Sequence, residues 1–296
     1  MIPMNYWENA NHSWSKDSLR YINTSTQKTQ DLFYYIQEIG YFKASKPYFT
    51  ERANLPSFLI KYTLSGTGQL NYHEKNYQLK AGDLFFIDCR DYQYYKTISE
   101  DPWEMDWIHI NGANSQAFYQ EFTKNGSPIF TTAQKTVHQN PIHLLMQDLL
   151  HLQKEPNSKT PFQASIVIHE LLNEIILQKY QLDFSDEDIP AYILEVKNFL
   201  DEHFRRPLTL DELAKNFHIN KFQITKDYSK YMGSPPIDYL LSKKVSYAKD
   251  LLRYTKLSVK QISLEIGIEN TAYFSRLFKN KTGLSPSQYR RLEIGG

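Results

Sequence analysis

The segment TAYFSRLFKNKT, residues 271–282, sets Ala272, Tyr273, Ser275, Arg276 and Lys279 on the side of a helix opposite Phe274, Leu277 and Phe278. Arginine and lysine can donate to guanine edges or to phosphate oxygens, and small neighbours allow close approach, so this face suits entry into a major groove. A second set of chemical groups lies upstream. Period-two alternation along YQYYKTI puts Gln93 and Tyr95 on one face of a strand, and along WEMDWIHI it puts Met105, Trp107 and His109 together. Lys61 interrupts the apolar run FLIKYTL, where it is either buried with a partner or placed on a solvent-facing edge. Cys89, the single cysteine, excludes internal disulfides and Cys-based zinc clusters and reads as a small buried hydrophobe.

The elements that position the first set follow from spacing. Val259, Ile262 and Ile266 recur at helical intervals ahead of Gly267, which can take a left-handed stop, and the second apolar set begins at Phe274. This predicts a helix, a tight turn and a second helix. Ser258 with Gln261 forms a capping-box pattern, and Asn270 or Thr271 can cap the helix that follows. The unit recurs upstream in TLDELAKNFHINKFQITKDYSKYMGSPPIDY, where Leu213, Phe217, Ile219 and Tyr228 match Ile262, Ile266, Ile268 and Phe278. Thr209 with Glu212 repeats the capping pattern, and Ala214 or Ser263 is the small residue where paired helices approach. His218 stands where the second copy has Gly267, so either a costlier left-handed residue or a different turn is expected there. Between the copies, PIDYLLSKKVSYAKDLLRYT predicts a helix that holds them apart.

Upstream of residue 190 the patterning changes. From Phe58, the runs FLIKYTLSG, GQLNYH, KNYQL, DLFFID, YQYYKTI and WEMDWIHI are rich in β-branched and aromatic residues and predict strands of a sandwich or small barrel. Gly66 and Gly68 mark a bend or bulge, His73 to Asn76 a hairpin, and Ala81 to Asp83 a tight turn. Residues 1 to about 50 read as irregular, with one helical candidate over Asp31 to Ile39. PIHLLMQDLLHLQK and PFQASIVIHELLNEIILQKY predict two helices that cover the barrel and present an apolar stripe, either to the same chain or to a second subunit. The acidic, proline-ended QLDFSDEDIP reads as a linker. The expected fold is multi-domain α and β: a barrel over 1–135, a helical segment over 136–181, a linker over 182–190, and an all-α domain with two helix-turn-helix units over 191–296.

Charge separates the same parts. The 296 residues carry a net +1, yet Pro190 to Gly296 holds 18 Lys and Arg against 11 Asp and Glu, leaving −6 for the remainder. An anionic partner is implied for the C-terminal third alone. No apolar run approaches the ~20 residues of a membrane span, and the N-terminus lacks a basic start with an apolar stretch, so a cytoplasmic protein without a membrane partner is expected.

The order LSGTGQL, YQLKAGDLFFID, DPWEMDWIHINGAN resembles the cupin-type ligand-binding domain of arabinose-regulator (AraC/XylS) family transcription factors. The paired units, with SRLFKNKTGLSPSQYRR, resemble the DNA-binding domain of the same family. Metal-binding cupins need several converging N and O ligands. Here only His73 and Glu74 stand at a hairpin tip, and Gln93 occupies the place where the family often keeps a later His, so neither metal, cofactor nor enzymatic activity is expected. In sugar-binding members an aromatic ring and an upstream arginine hold the ligand, and the resemblance places these roles on Trp107, Tyr95 and Arg52. A ring face covers C–H groups while Arg and Tyr bond hydroxyls, which fits a polyol. With Lys61, Gln93, Met105 and His109 these form the candidate ligand set; the alternative is that the aromatics simply fill the barrel.

For the C-terminal third the resemblance implies two recognition helices in successive major-groove segments ~34 Å apart. Position by position, Phe222, Thr225 and Lys226 in the first helix and Ala272, Tyr273 and Arg276 in the second are the base-facing candidates, with Thr271 and Ser275 in the wider DNA-binding set. Lys221, Lys279 and Lys281 suit phosphates. Lys226 stands where arginine is usual, and lysine lacks the bidentate fork, so weaker base discrimination is expected from the first helix. The implied function is a ligand-responsive regulator, an activator of carbohydrate-utilisation genes that acts as a homodimer on promoter DNA, with RNA polymerase as a candidate partner. Two other readings stand beside it: a constitutive or protein-regulated factor whose barrel binds nothing small, and a cupin enzyme fused to a DNA-binding module.

Overall fold

A computed structural model describes residues 5–132, 136–182 and 184–294, which fall into two units, Met1–Asp183 and Phe184–Gly296. The barrel boundary expected at residue 135 lies outside the described residues. In the first unit the strands are β1 (Trp7–Asn11), β2 (Leu19–Ile22), β3 (Tyr35–Ala44), β4 (Phe49–Ala53), β5 (Phe58–Ser65), β6 (Gly68–Tyr72), β7 (Lys75–Leu79), β8 (Asp83–Asp88), β9 (Gln93–Thr97), β10 (Trp103–Asn111) and β11 (Ile129–Thr131). They form two antiparallel sheets, in the orders β1-β4-β9-β6-β7 and β11-β8-β5-β10-β3-β2. The runs read as strands from Phe58 onward are β5 to β10. His73 and Glu74 make the β6–β7 turn with φ of 49° and 61°, the left-handed pair that a two-residue hairpin requires.

Alternation along β5 explains how one sheet serves two cores. Phe58, Ile60, Tyr62 and Leu64 face a core shared with the helices, whereas Leu59 faces the space between the sheets. The helices are α1 (Gln27–Leu32), which buries no residue, and the covering α2 (Ser115–Thr123), α3 (Pro141–Lys154) and α4 (Thr160–Lys179). Ile168, Leu171 and Ile175 of α4 are fully buried against the sheet, each stabilising by about 1.5–3 kcal/mol. Asp106 of β10 accepts from Gln147 Nε2 at 2.8 Å and lies 2.5 Å from His143 Nδ1, tying α3 to the strand.

The N-terminal fifty residues are not irregular. They contribute four strands, and the helical candidate at Asp31 to Ile39 is mostly strand β3, preceded by the short α1. The physical reason is a bulge. Between β3 and β10 the register steps from His109↔Glu38 to Ile110↔Ile36, leaving Gln37 unpaired. Ile36 and Ile39 therefore point into the same core although three residues apart, which imitates helical spacing.

The second unit holds α5 (Ala191–His203), α6 (Leu210–Asn216), α7 (Lys221–Met232), α8 (Pro236–Tyr254), α9 (Val259–Glu265), α10 (Thr271–Thr282) and α11 (Pro286–Ile294). At the start of this unit, the segment read as a linker carries a 3-10 turn at Asp186–Asp188. Leu213, Ile224 and Tyr228 pack with α5 and Leu240, while Ile262, Ile266, Phe274 and Phe278 pack with Val245, Ala248 and Leu252. Helix α8 thus gives its first turns to one core and its last turns to the other.

Candidate functional site

A cavity of about 40 Å³, partly open to solvent, lies between the sheets. Five of the candidate ligand residues line it: Arg52 from β4, Lys61 from β5, Tyr95 from β9, and Trp107 and His109 from β10. Gln93 and Met105 are not brought to its wall. Met105 is fully buried in the core between the sheets. Gln93 sits opposite Arg52 in the β4–β9 pair and turns its amide to the carbonyls of Arg52, Cys89 and Asp91. Cys89 is buried, which pushes its thiol up to about 12.

The strand order decides the position of Lys61. β5 runs between β8 and β10, so an edge placement is excluded, and the side chain is 2 % exposed on the same face as Leu59. Arg52 donates from Nη2 to Tyr95 Oη at 3.1 Å, approaches His109 Nε2 at 2.6 Å, and donates from Nη1 to Glu8 Oε2 at 3.3 Å. Because arginine has no acceptor, His109 Nε2 must accept, and Nδ1–H then donates to Ser57 Oγ at 2.8 Å. His109 is accordingly neutral; burial first, and then the charges of Arg52 and Lys61, hold its pKa well below the ordinary value. Trp107 packs tilted against Phe42, with centroids 4.9 Å apart and an interplanar angle of 57°, and lies on the bare backbone of Gly40, where an added Cβ would come 2.5 Å from the indole.

Sequence reasoning missed one side of this wall. Glu8, His12, Trp14, Arg20 and Glu38 come from the N-terminal segment read as irregular, and Tyr48 from the turn before β4. Their strands are four or five residues long or interrupted by the bulge, so no long alternating run announces them. Among the described residues, no group of three or more His, Cys, Asp or Glu is placed to hold a metal ion.

In the second unit, α7 and α10 start at asparagine caps: Asn220 accepts from Phe222 N and Asn270 from Tyr273 N. The Ser258–Gln261 capping box is complete. In the first copy only half of it forms, because Glu212 turns its carboxylate to Arg206 at 2.6 Å. His218 and Gly267 both take left-handed backbone, φ 51° and 68°, so the two turns agree in conformation. Phe222, Lys226, Ala272, Tyr273, Arg276, Lys279 and Lys281 are exposed, while Thr271, Thr225 and Ser275 are half-buried. The last two hydroxyls donate back to the carbonyls of Lys221 and Thr271.

Charge differs between the copies. Lys221 pairs with Asp211 at 3.1 Å, and α7 contains Asp227, which accepts from Gln223 and Tyr192. Helix α10 contains no acid, and Arg276, Lys279 and Lys281 make no salt bridge among the described residues. The second helix therefore presents the stronger positive face to an anionic strand.

Between the copies sits Lys244 of α8, 2 % exposed, whose ammonium donates to Arg206 O at 3.1 Å and Ile266 O at 2.5 Å. Burial pushes its pKa down to about 8. One side chain thereby joins the α5–α6 connection to the turn of the second unit and fixes their separation. Gly267 completes this contact, since an added Cβ would lie 2.2 Å from Arg205 O.

Among the described residues no helix is long and apolar enough to cross a membrane. The profile of the AraC-like ligand binding domain matches residues 36–172, and that of a helix-turn-helix domain matches residues 213–292. The MmsAB operon regulatory protein of Pseudomonas aeruginosa is 25 % identical over 269 residues, covering 87 % of this chain and 82 % of that protein. The Msm operon regulatory protein of Streptococcus mutans is 23 % identical, covering 79 % and 84 %. The lactose operon transcription activator of Staphylococcus xylosus is 25 % identical, covering 78 % and 83 %. With a ligand-binding domain matched from β3 into α4, and a helix-turn-helix domain matched over α7 and α10, the chain belongs to the AraC family of transcriptional regulators.

Proposed function

We propose that this regulator is a sugar-responsive activator of carbohydrate-utilisation genes, with the effector held between the sheets and promoter DNA read by α7 and α10. The observation that carries the effector site is the convergence of two aromatic faces, Trp107 and Tyr95, with the hydrogen-bonding heads of Arg52 and His109 in one cavity. Aromatic faces beside fixed donors suit a polyol. One relative of similar length is a lactose operon activator, which favours a sugar over other small polar molecules. Titration calorimetry of the full chain against mono- and oligosaccharides tests this: one sugar binds, and Trp107→Ala abolishes the heat. A panel without any binder, or a Trp107→Ala variant that binds as wild type does, would refute it.

Coupling to DNA has a structural route within the first unit. Along β10, Trp107 and His109 face the cavity while Asp106, the residue before Trp107, holds α3 through His143 and Gln147. Movement of the strand around a ligand is thus passed to α3, and Leu144, Ile166 and Leu177 on α3 and α4 remain exposed. We assign this stripe to a second copy of the chain, so that effector binding alters how a dimer presents its DNA-binding domains. A monomer in equilibrium sedimentation, or an operator footprint unchanged at saturating sugar, would overturn that coupling.

A further inference from the structure

The cavity wall contains three cations and two carboxylates. Arg20 pairs with Glu38 at 2.8 Å and Arg52 with Glu8 at 3.3 Å. Lys61 has no carboxylate within salt-bridge distance among the described residues. Its ammonium instead lies in an aromatic cage, 3.9 Å from the Tyr95 centroid, 5.0 Å from Trp103 and 5.7 Å from Tyr48. Ring quadrupoles offset part of the cost of burying an ammonium, but a charge this enclosed calls for an anion or a full set of acceptors. Burial and the neighbouring Arg52 push the lysine pKa well down, which is the expected response of a cation whose counter-charge the protein does not supply.

Two further donors at the same site are unspent. Arg52 Nε and Trp107 Nε1 are buried without a hydrogen-bond partner, and both residues line the cavity with Lys61. Buried donors are normally satisfied, so these two unmatched N–H groups beside the lysine mark a wall rich in donors and short of acceptors. A neutral sugar hydroxyl can accept from each but brings no charge for the lysine.

We infer that the effector is an acidic polyol, carrying one carboxylate or phosphate that is received by Lys61 and Arg52 while its hydroxylated body lies against Trp107 and Tyr95. This rests on the sugar reading above and narrows it. An oxyanion would accept charge-assisted hydrogen bonds from both cations, and these are stronger than neutral ones. Both oxyanions share this chemistry, and the experiment separates them.

The test is titration calorimetry of the full-length protein with a hexuronate, a hexose phosphate, the neutral parent hexose, and propionate as a carboxylate without a sugar body. The expected result is that the hexuronate or the hexose phosphate binds at least about tenfold more tightly than the neutral hexose. Which of the two binds tells carboxylate from phosphate. In Lys61→Met, which fills the cage with a side chain of similar length and no charge, this preference falls to about unity. Should Lys61→Met fail to fold, the ratio in the wild-type protein and in Lys61→Gln decides. A neutral hexose that binds as tightly as its acid, or a preference that survives Lys61→Met, overturns the anion inference and leaves the sugar reading standing. Propionate binding that depends on Lys61, with no sugar acid bound, supports the anion and overturns the sugar. No heat in any arm overturns both.

Discussion

His218 and Gly267 hold the same left-handed place in two copies of one turn, yet their surroundings differ in a way that can be measured. A Cβ added at Gly267 would meet Arg205 O at 2.2 Å and Arg206 C at 2.8 Å, both backbone atoms of the connection that Lys244 grips. At Gly283, φ 80°, nothing lies within 4 Å of an added Cβ. Gly283→Ala therefore isolates the cost of left-handed backbone, about 1 kcal/mol. Gly267→Ala adds displacement of packed backbone, an overpacking term of about 1–3 kcal/mol, for a total of about 2–4 kcal/mol. At roughly 4 °C per kcal/mol for a unit of this size, its transition falls by about 8–16 °C, against about 4 °C for Gly283→Ala. His218→Gly relieves the local penalty but frees the unfolded chain, leaving stability within about 1 kcal/mol of wild type. Thermal melts of the full chain should be followed by helical circular dichroism, because all four tryptophans, Trp7, Trp14, Trp103 and Trp107, lie in the first unit. Equal losses in Gly267→Ala and Gly283→Ala would refute the close approach.

Two other expectations concern the second unit. Arg276→Ala weakens specific operator binding by about 1–3 kcal/mol without altering the melt, whereas Lys279→Ala weakens binding to all sequences and lowers the salt slope; an unchanged operator affinity in the first variant would remove Arg276 from the interface. Asp201 accepts from Lys197, Lys243 and Tyr239, which hold its carboxyl at about 2 although burial alone would raise it. A folded value below the unfolded one means that its ionised form stabilises the fold above about pH 4 and that this contribution is lost as pH falls through about 2. Asp201→Asn should cost about 1 kcal/mol at neutral pH, discounted for partial exposure, and only a fraction of that at about pH 2. Urea melts that show the same deficit at both pH values would place the effect elsewhere.

The strands from β5 to β10 were legible because each carries an uninterrupted local signal: alternation, β-branched residues and a turn at its end. Strand β3 was not, because Gln37 is bulged out and shifts the apolar period from two to three. The repeated helix-turn-helix was legible through caps and spacing, whereas the turns, residues 217–220 in the first copy and 266–270 in the second, took their lengths from the fold. The half-formed capping box at Thr209 was not, since Glu212 is drawn away by Arg206, a partner that only the folded α5–α6 connection supplies.

Sequence by itself determined the two-part layout, the run of strands from β5 to β10, the paired helix-turn-helix units, the basic face of α10 and the aromatic set on β9 and β10, because period, capping and local charge are properties of neighbouring residues. Tertiary structure alone decided which polar groups meet. Glu8 reaches Arg52 from a strand far upstream, β5 becomes central and so encloses Lys61, and Lys244 spans two helix-turn-helix units. Such contacts depend on strand order and helix crossing, and a buried charge acquires or lacks its counter-ion only when distant segments close around it.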